Sequence, residues 1–587
     1  MKTRSLVSVL GILVILALAG PACQQSSNPT KSPIPGSVAT PSAVPTATSI
    51  PAAKPATDSG PIGMPSPMPT AMPSSLPRQE QTLSKSTRSS AVLGVPAPSH
   101  ALSGVDSAAL ARMGPKWFST GGSATVNDAP YDATFFKNYG TNPFIDTEDD
   151  HLSTFATDVD TASYAVARRF IMDGHLPDPD SVRVEEFINN FDQAYDAPAE
   201  GAFAIHIEGA PSPFGSKNHW LMRVGLQGRV VEAAARQDAS LVFVIDVSGS
   251  MARENRLGLV KRALRLLVDE LRPTDQVGIV VYGTRGRVVL EPISGEYKES
   301  ILEAINALEP EGATNAEQGL RLAYEMAGRL VATDRITRVI LLSDGVANVG
   351  HTGSGSILDQ VAGYVDEGIT LSTIGFGMGN YNDVLMERLA NDGNGNYAYV
   401  DTLSQAKRIF VDNLTGMLQV IAKETKVQVD FNPEVVSRYR LLGYENRRVA
   451  DSDFRNDTID AGEVGAGHTV TALYELKLHQ DAEGKLATVY LRYEEPDTGE
   501  VNEISQEFHR SELTTVWENA SPRFKLSTVV AEYAEVLRNS YWAQDSSLRD
   551  VRRMAEKVSE LITEDPDVTE FISLVDRAEK IAEKKAG

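Results

Sequence analysis

The chain of 587 residues contains a single cysteine, Cys23, and one thiol excludes any intrachain disulfide. Basic residues are also scarce. Lys+Arg number 55 against Asp+Glu 78, a formal net charge of −23. Nucleic acid rewards clustered Lys and Arg, so a chain this acidic is a poor match for it and no nucleic-acid partner is expected. Acidity favours solubility and divalent cations instead. The apolar stretch from Leu6 to Ala19 is short of the roughly 20 residues that a membrane-spanning helix needs. The rest is ordinary for a globular protein, 42% hydrophobic and 23% charged, at a length that suits roughly two to four domains.

Lys2 and Arg4 precede that apolar stretch and small residues follow it, so residues 1–22 read as a secretory signal peptide. Cys23 stands at its cleavage end. Leu18-Ala19-Gly20-Pro21-Ala22-Cys23 resembles a bacterial lipobox, whose cysteine becomes the lipid-bearing first residue. Gly20 stands where that pattern has leucine, and Pro21 is unusual there. The alternative is a soluble exported protein with an incidental cysteine. Residues 23–121 are rich in Pro, Ser, Ala and Thr, as in Pro35-Gly36-Ser37 and Pro67-Met68-Pro69. Such a stretch buries too little apolar surface to offset its ordering entropy, and it reads as a tether. A lipid on Cys23 ahead of a tether would anchor the protein to a membrane of the bacterial cell envelope. The folded part would then face outside the cytoplasm, in the periplasm or at the cell surface.

Residues 128–200 read as a helical segment. Asp160-Thr161-Ala162-Ser163 looks like a helix start, Tyr164 to Met172 has helical spacing and Gly174 ends it. Arg183 to Phe191 places Val184, Phe187, Ile188 and Phe191 on one stripe. Asp158 and Asp160 lack the later ligands and glycine of an EF-hand, so helix capping is the preferred reading of them. Phe203 to Glu208 and Trp220 to Leu226 alternate as strands with one exposed face, and Lys426 to Phe431, Val470 to Leu476, Ala487 to Tyr493 and Ile504 to Phe508 do the same. Together they predict a discontinuous β-sandwich-like domain, residues 201–235 and 425–520. Asp451, Asp453, Asp457, Asp460 and Glu463 crowd one loop without ligand-like spacing and read as solvated. Residues 521–587 are helical, with Val529, Tyr533, Val536 and Leu537 on one stripe.

Between the two halves of that domain lies the most informative stretch. Leu241 to Ile245 is a short apolar run bounded by turn residues, the mark of a strand buried on both faces. It runs into Asp246-Val247-Ser248-Gly249-Ser250, at the carboxyl edge where open α/β sheets bind ligands. Gly312-Ala313-Thr314-Asn315 opens a second helical segment, and Thr337 to Ser343 is another buried strand, ending at Asp344. One sheet edge thus gathers carboxylates and hydroxyls, the hard oxygen donors that Mg²⁺ or Mn²⁺ selects. The alternative is a strand-to-helix turn whose Asp and Ser cap the next helix. The following elements alternate: helix Arg256 to Leu271, strand Gln276 to Tyr282, edge strand Val288 to Pro292, helix Ala316 to Leu330, strand Ile369 to Phe376, helix Asp383 to Ala390 and strand Tyr397 to Val400. That order requires an α/β fold, a doubly wound and mostly parallel sheet, over residues 238–422. Gly375-Phe376-Gly377-Met378-Gly379 does not follow the first strand and lacks the dinucleotide spacing, so it reads as a turn.

Asp246-x-Ser248-x-Ser250, Thr314 and Asp344 together resemble the complete metal-ion-dependent adhesion site (MIDAS) of the von Willebrand factor type A domain. Ser153 to Tyr164 and Asp460 to Glu475 resemble segments that flank this domain in a bacterial group of exported proteins. The resemblance implies a Rossmann-like fold and a Mg²⁺ or Mn²⁺ ion. Ser248, Ser250 and Thr314 would ligate directly, and Asp246 and Asp344 directly or through water. It also implies a protein-binding module, and no enzyme is expected. With the three hydroxyls as direct ligands the inner shell is largely neutral, so an acidic residue of the partner is expected to complete it. The competing functions are a Mg²⁺-dependent hydrolase and an accessory factor of an ATPase or secretion system. A hydrolase needs a base or nucleophile within reach of the metal. Ser248 stands where an aspartyl phosphatase would want a second Asp, and the nearest histidine after Asp344 is His351, read as a polar loop residue. Residues 241–422 are expected to fold and bind metal alone.

Overall fold

The computed structural model describes residues 136–586, apart from residues 158, 216–217, 346–362, 366 and 379–380. The signal peptide, the tether, Cys23, Asp158 and His351 lie outside the described residues. Two short strands come first, β1 (Ile145–Asp146) and β2 (Leu152–Ala156), then helices α1 (Ala162–Met172) and α2 (Val184–Asn189). The segment read as helical therefore also supplies strands, each too short to show a period. Gly174 ends α1 at φ +86, a left-handed conformation that glycine adopts at little cost. The long strands β3 (Phe203–Pro211) and β4 (His219–Gly228) pair antiparallel, Ile207 opposite Val224.

The chain then leaves that pair to build an α/β unit. Its elements are β5 (Asp238–Asp246), α3 (Arg256–Glu270), β6 (Gln276–Tyr282), β7 (Gly286–Ser294), α4 (Lys298–Asn306) and α5 (Ala316–Gly328), followed by β8 (Arg335–Ser343), β9 (Ile369–Phe376), α6 (Asp383–Asn391), β10 (Tyr397–Val400), α7 (Leu403–Lys407) and α8 (Leu414–Leu418). The sheet order is β10-β9-β8-β5-β6-β7, parallel except for β7 at one edge. The first strand, β5, thus lies between β6 and β8. Connections leave it toward opposite sides, which opens a crevice at its carboxyl end. Successive β5 side chains feed opposite cores, as strand geometry demands. Leu241, Phe243 and Ile245 pack with Val260, Leu264 and Leu267 of α3. Val242 and Val244 pack with Leu320 and Ala323 of α5. Each such fully buried side chain is worth about 1.5–3 kcal/mol. Ala162, Ala165 and Val166 of α1 join the second core, so a helix from outside the unit seals one of its faces.

After α8 come β11 (Val420–Phe431), β12 (Val436–Leu442), β13 (Gly462–Gly465), β14 (Thr469–Leu478), β15 (Lys485–Glu494) and β16 (Val501–His509). They complete two sheets, β1-β12-β14-β4-β3 and β13-β11-β15-β16, with β2 pairing β11. β14 pairs β4 antiparallel, Ala472 opposite Val224, so strands from before and after the α/β unit share one sheet. β11 begins at Val420, inside the range first assigned to the α/β unit, and bends at Glu424, φ +51, where its register shifts. Helices α9 (Pro522–Leu537), α10 (Leu548–Ser559) and α11 (Pro566–Ala586) close the chain. With α1 and α2 they cover the outer face of the first sheet through Leu221, Leu442 and Leu473.

β4 differs from its expected one-sided exposure: it is buried from Leu221 to Gly228. Met222, Val224 and Leu226 point into the sandwich. Arg223 turns toward the helices, where it donates to Gln193 at 3.1 Å and to Glu208 at 2.9 Å. The polar positions of the alternation face a paired polar layer, not solvent.

Candidate metal site

At the end of β5 the Val247 amide donates to the Tyr282 carbonyl at 2.8 Å, and the Val247 carbonyl accepts from Glu311 at 2.5 Å. The Gly249 amide donates to Gly312 O at 3.1 Å. The Asp246-to-Ser250 turn is thereby pinned against the loop that carries Thr314. Gly312 has φ +67, and a Cβ there would lie 1.8 Å from Thr284 Oγ1, so only glycine lets this loop close. Asn315 caps α5, its Oδ1 accepting from Gln318 N at 3.2 Å.

Four of the five residues form one hydrogen-bonded chain. The Ser248 amide donates to Asp246 Oδ1 at 2.8 Å, the Ser248 and Ser250 hydroxyls lie 2.9 Å apart, and Ser250 Oγ donates to Asp344 Oδ1 at 3.0 Å. Thr314, half-buried, lies two residues past Gly312, which accepts from Gly249, and makes none of these bonds. The capping alternative finds no support: neither Ser248 ahead of the turn nor Asn255 ahead of α3 makes a side-chain cap.

Two residues complete the arrangement without any signal in the sequence pattern. Ser343 Oγ donates to Asp246 Oδ2 at 2.9 Å. Arg256 Nη1 donates to Asp344 Oδ2 at 2.7 Å. In sequence Ser343 reads as the last residue of an apolar run, and Arg256 as a polar position on an amphipathic helix.

Asp246 is 0% exposed and Asp344 2%. Burial, and then the charge of Asp344, push the Asp246 carboxyl up to about 7. Burial likewise raises Asp344, against the opposing pull of Arg256. Two buried carboxylates that repel each other, joined through hydroxyls, suit a hard divalent cation. Among the described residues no three His, Cys, Asp or Glu side chains gather as a metal-binding group, so a cation here depends on the hydroxyls as well.

The other acidic residues noted in the sequence lie elsewhere. Asp160 is not the cap of α1: the N-cap position is Thr161, which makes no side-chain cap bond. Its carboxylate accepts from Tyr397 N at 3.0 Å and from Arg447 Nη2 at 3.3 Å. Within the acidic loop, Asp451 accepts from Thr154 Oγ1 at 2.5 Å and Asp457 pairs with Arg492 at 2.7 Å. Those two carboxylates are tied to other segments, but Glu463 is not solvated as expected: its Oε1 is buried without a hydrogen-bond partner among the described residues, and burial, then the charges of Asp460 and Glu424, push its carboxyl up to about 8. Gly375 and Phe376 end β9, Gly377 follows at φ +79 and the Met378 carbonyl accepts from Arg256 Nη2, while Gly379 lies outside the described residues.

Three family models match the chain: "von Willebrand factor" at residues 130–223, "von Willebrand factor type A domain" at 240–412 and "Uncharacterized protein YfbK, C-terminal" at 416–581. Over 477 residues the chain is 36% identical to "Uncharacterized protein YfbK" of Escherichia coli (strain K12), which covers 76% of this chain and 81% of that protein. The chain belongs to the YfbK family. A more distant relative is inter-alpha-trypsin inhibitor heavy chain H2 of Mus musculus, 30% identical over 192 residues, 31% of this chain and 20% of that one. The solved structure of a von Willebrand factor type A protein from Catenulispora acidiphila superposes with a TM-score of 0.40 at 14% identity, over 63% of this chain and 89% of that one.

In this YfbK-family chain all five candidate residues fall inside the type A match, while the flanking matches meet in the sheet that pairs β4 with β14. Type A domains commonly mediate protein–protein interaction and are generally not enzymes, and they often bind a divalent metal.

Proposed function

We propose that this chain is a metal-dependent protein-binding module, held by a lipid on Cys23 and a flexible tether at a membrane of the bacterial cell envelope, outside the cytoplasm. The observation that carries the metal part is the buried pair Asp246 and Asp344, joined through the Ser248 and Ser250 hydroxyls at the carboxyl edge of β5 and β8. Asp246, Ser248, Ser250, Thr314 and Asp344 would hold Mg²⁺ or Mn²⁺. When bound, the ion supplies a coordination position for an outside oxygen, and a Glu or Asp of the protein partner fits it best, since hard cations favour charged oxygen. The carboxylates and hydroxyls of this chain orient the site, and the Gly312 loop sets its rim. The anchor is supported by the position of Cys23 after the apolar stretch and by its being the single cysteine.

The test is capture of envelope proteins by the purified chain in Mg²⁺ and in EDTA, alongside Asp246→Asn, which keeps the side-chain shape. Wild type should retain a partner in Mg²⁺ and lose it in EDTA, and Asp246→Asn should retain none. Retention undiminished by EDTA or by the substitution would overturn the reading. For the anchor, mass spectrometry of the mature N-terminus should find acyl chains on Cys23; an unmodified cysteine, or cleavage elsewhere, would sink it.

A further inference from the structure

Arg256 is the first residue of α3, and the link that delivers it runs through consecutive left-handed residues, Glu254 at φ 49 and Asn255 at φ 56. Non-glycine residues hold that conformation only where the surrounding fold over-determines it. The side chain is 5% exposed. Nη1 donates to Asp344 Oδ2 at 2.7 Å, while Nη2 donates to the Met378 carbonyl. Beneath it, a Cβ on Gly377 would lie 2.3 Å from Arg256 Nε, so the guanidinium packs directly on a bare backbone. Asp344 is therefore divided. One oxygen faces this arginine and the other, Oδ1, accepts from Ser250 in the hydroxyl chain.

Resting on the metal-site reading above, we infer that Arg256 is a built-in counter-charge that weakens the hold of the site on its cation and makes the occupied site select a carboxylate partner. An arginine cannot shed its proton in a protein, so this charge is permanent. Buried charges are screened far less than exposed ones, so its repulsion of a neighbouring dication is strong. Asp246 and Asp344 alone would neutralise a divalent ion and leave nothing for an outside anion to balance. Among the buried charges, the two carboxylates, the ion and Arg256 leave one net positive charge; the Glu254 carboxylate, 4.0 Å from Arg256 Nη2, is half-exposed and screened by solvent. An incoming Glu or Asp neutralises that charge, whereas a neutral or basic side chain does not. Without the ion, the same guanidinium partly neutralises the two carboxylates.

The experiment titrates Mn²⁺ alone into the full mature chain and into Arg256→Gln, Arg256→Met and Arg256→Lys, and records each melting temperature with and without Mn²⁺. Both neutral variants should bind Mn²⁺ at least about tenfold more tightly than wild type and gain more in melting temperature from it, as linkage requires. Arg256→Lys keeps the charge and should bind within about twofold of wild type. A neutral variant that binds Mn²⁺ no more tightly, or that Mn²⁺ stabilises no more than wild type, overturns the role given to Arg256 while leaving the metal site standing. Binding by a neutral variant where wild type binds none supports it. Absence of Mn²⁺ binding by wild type and all variants overturns the metal site itself, and this inference with it.

Discussion

Replacing Arg183 by methionine tests whether the α/β unit stands on its own. Arg183 precedes α2, and its guanidinium is shared among Glu186, Asp383 at 2.9 Å and Glu387 at 3.7 Å. Its side chain is 6% exposed and theirs 1%, 2% and 5%. Asp383 and Glu387 belong to α6 of the α/β unit, whereas Arg183 and Glu186 lie ahead of β3. Methionine fills much of the same volume but removes the cation shared by three buried carboxylates. Removing one partner of a buried ion pair costs about 3–5 kcal/mol, a large part of the about 5–15 kcal/mol that a domain usually has. The assay is urea unfolding followed by circular dichroism, with the midpoint shift read at constant slope. The triple variant Arg183→Met, Glu186→Gln, Asp383→Asn neutralises two of the three carboxylates, while Glu387 keeps Arg447 at 3.9 Å, and it should recover most of the loss. A loss under about 1 kcal/mol, well short of the cost of orphaning a buried charge, or a triple variant as unstable as the single one, would refute this reasoning. The same contacts change what is expected of residues 241–422 alone. That fragment loses Arg183, the pairing of Arg168 with Asp401 at 2.5 Å, and the cover of Ala162, Ala165 and Val166. It should unfold at lower urea than the full chain, and equal midpoints would count against the clamp.

Gly312→Ala should weaken Mg²⁺-dependent partner capture and cost about 1–3 kcal/mol, because a Cβ at left-handed φ meets Thr284 and shifts the loop that carries Thr314; capture and unfolding curves that match wild type would refute it. His468 gives a pH dependence of defined sign. Burial, then Arg338, push its imidazole from 6.5 down to about 4, so between those values the unfolded chain binds a proton that the native one refuses. Its share of stability is complete above about pH 6.5 and falls by about 1.4 kcal/mol per unit as pH drops toward 4. His468→Gln should flatten that part of a stability–pH profile, and parallel profiles would show the group is not responsible.

The elements legible in the sequence are those whose pattern is local. Leu241 to Ile245 and Thr337 to Ser343 read as buried strands because their neighbours in the chain are apolar, and each ends in a carboxylate at the edge where the sheet stops. Asp246 and Asp344 were legible for the same reason, at or just past the end of a readable strand, and Ser248, Ser250 and Thr314 because they lie in the turns beside readable elements. The strands β1, β2 and β13 were not, being too short to carry a period. Nor was β12, where Arg440 interrupts the apolar pattern. That arginine is 1% exposed because it pairs with Glu475 at 2.7 Å and Glu535 at 3.1 Å, partners 35 and 95 residues away.

By itself, then, the sequence determined the longer strands and helices, the fold class they build and the oxygen-bearing residues that follow the strands β5 and β8, because those follow from short-range periodicity and turn chemistry. Only the tertiary structure decided that β4 is covered on both faces, that α1 seals the α/β unit and that Arg183 and Arg256 meet their carboxylates. The reason is physical. A charged side chain stays buried only when a counter-charge or hydrogen-bond acceptors meet it, here from distant segments, and nothing in the residues beside Arg256 shows that Asp344, 88 positions on, will be the one to do so.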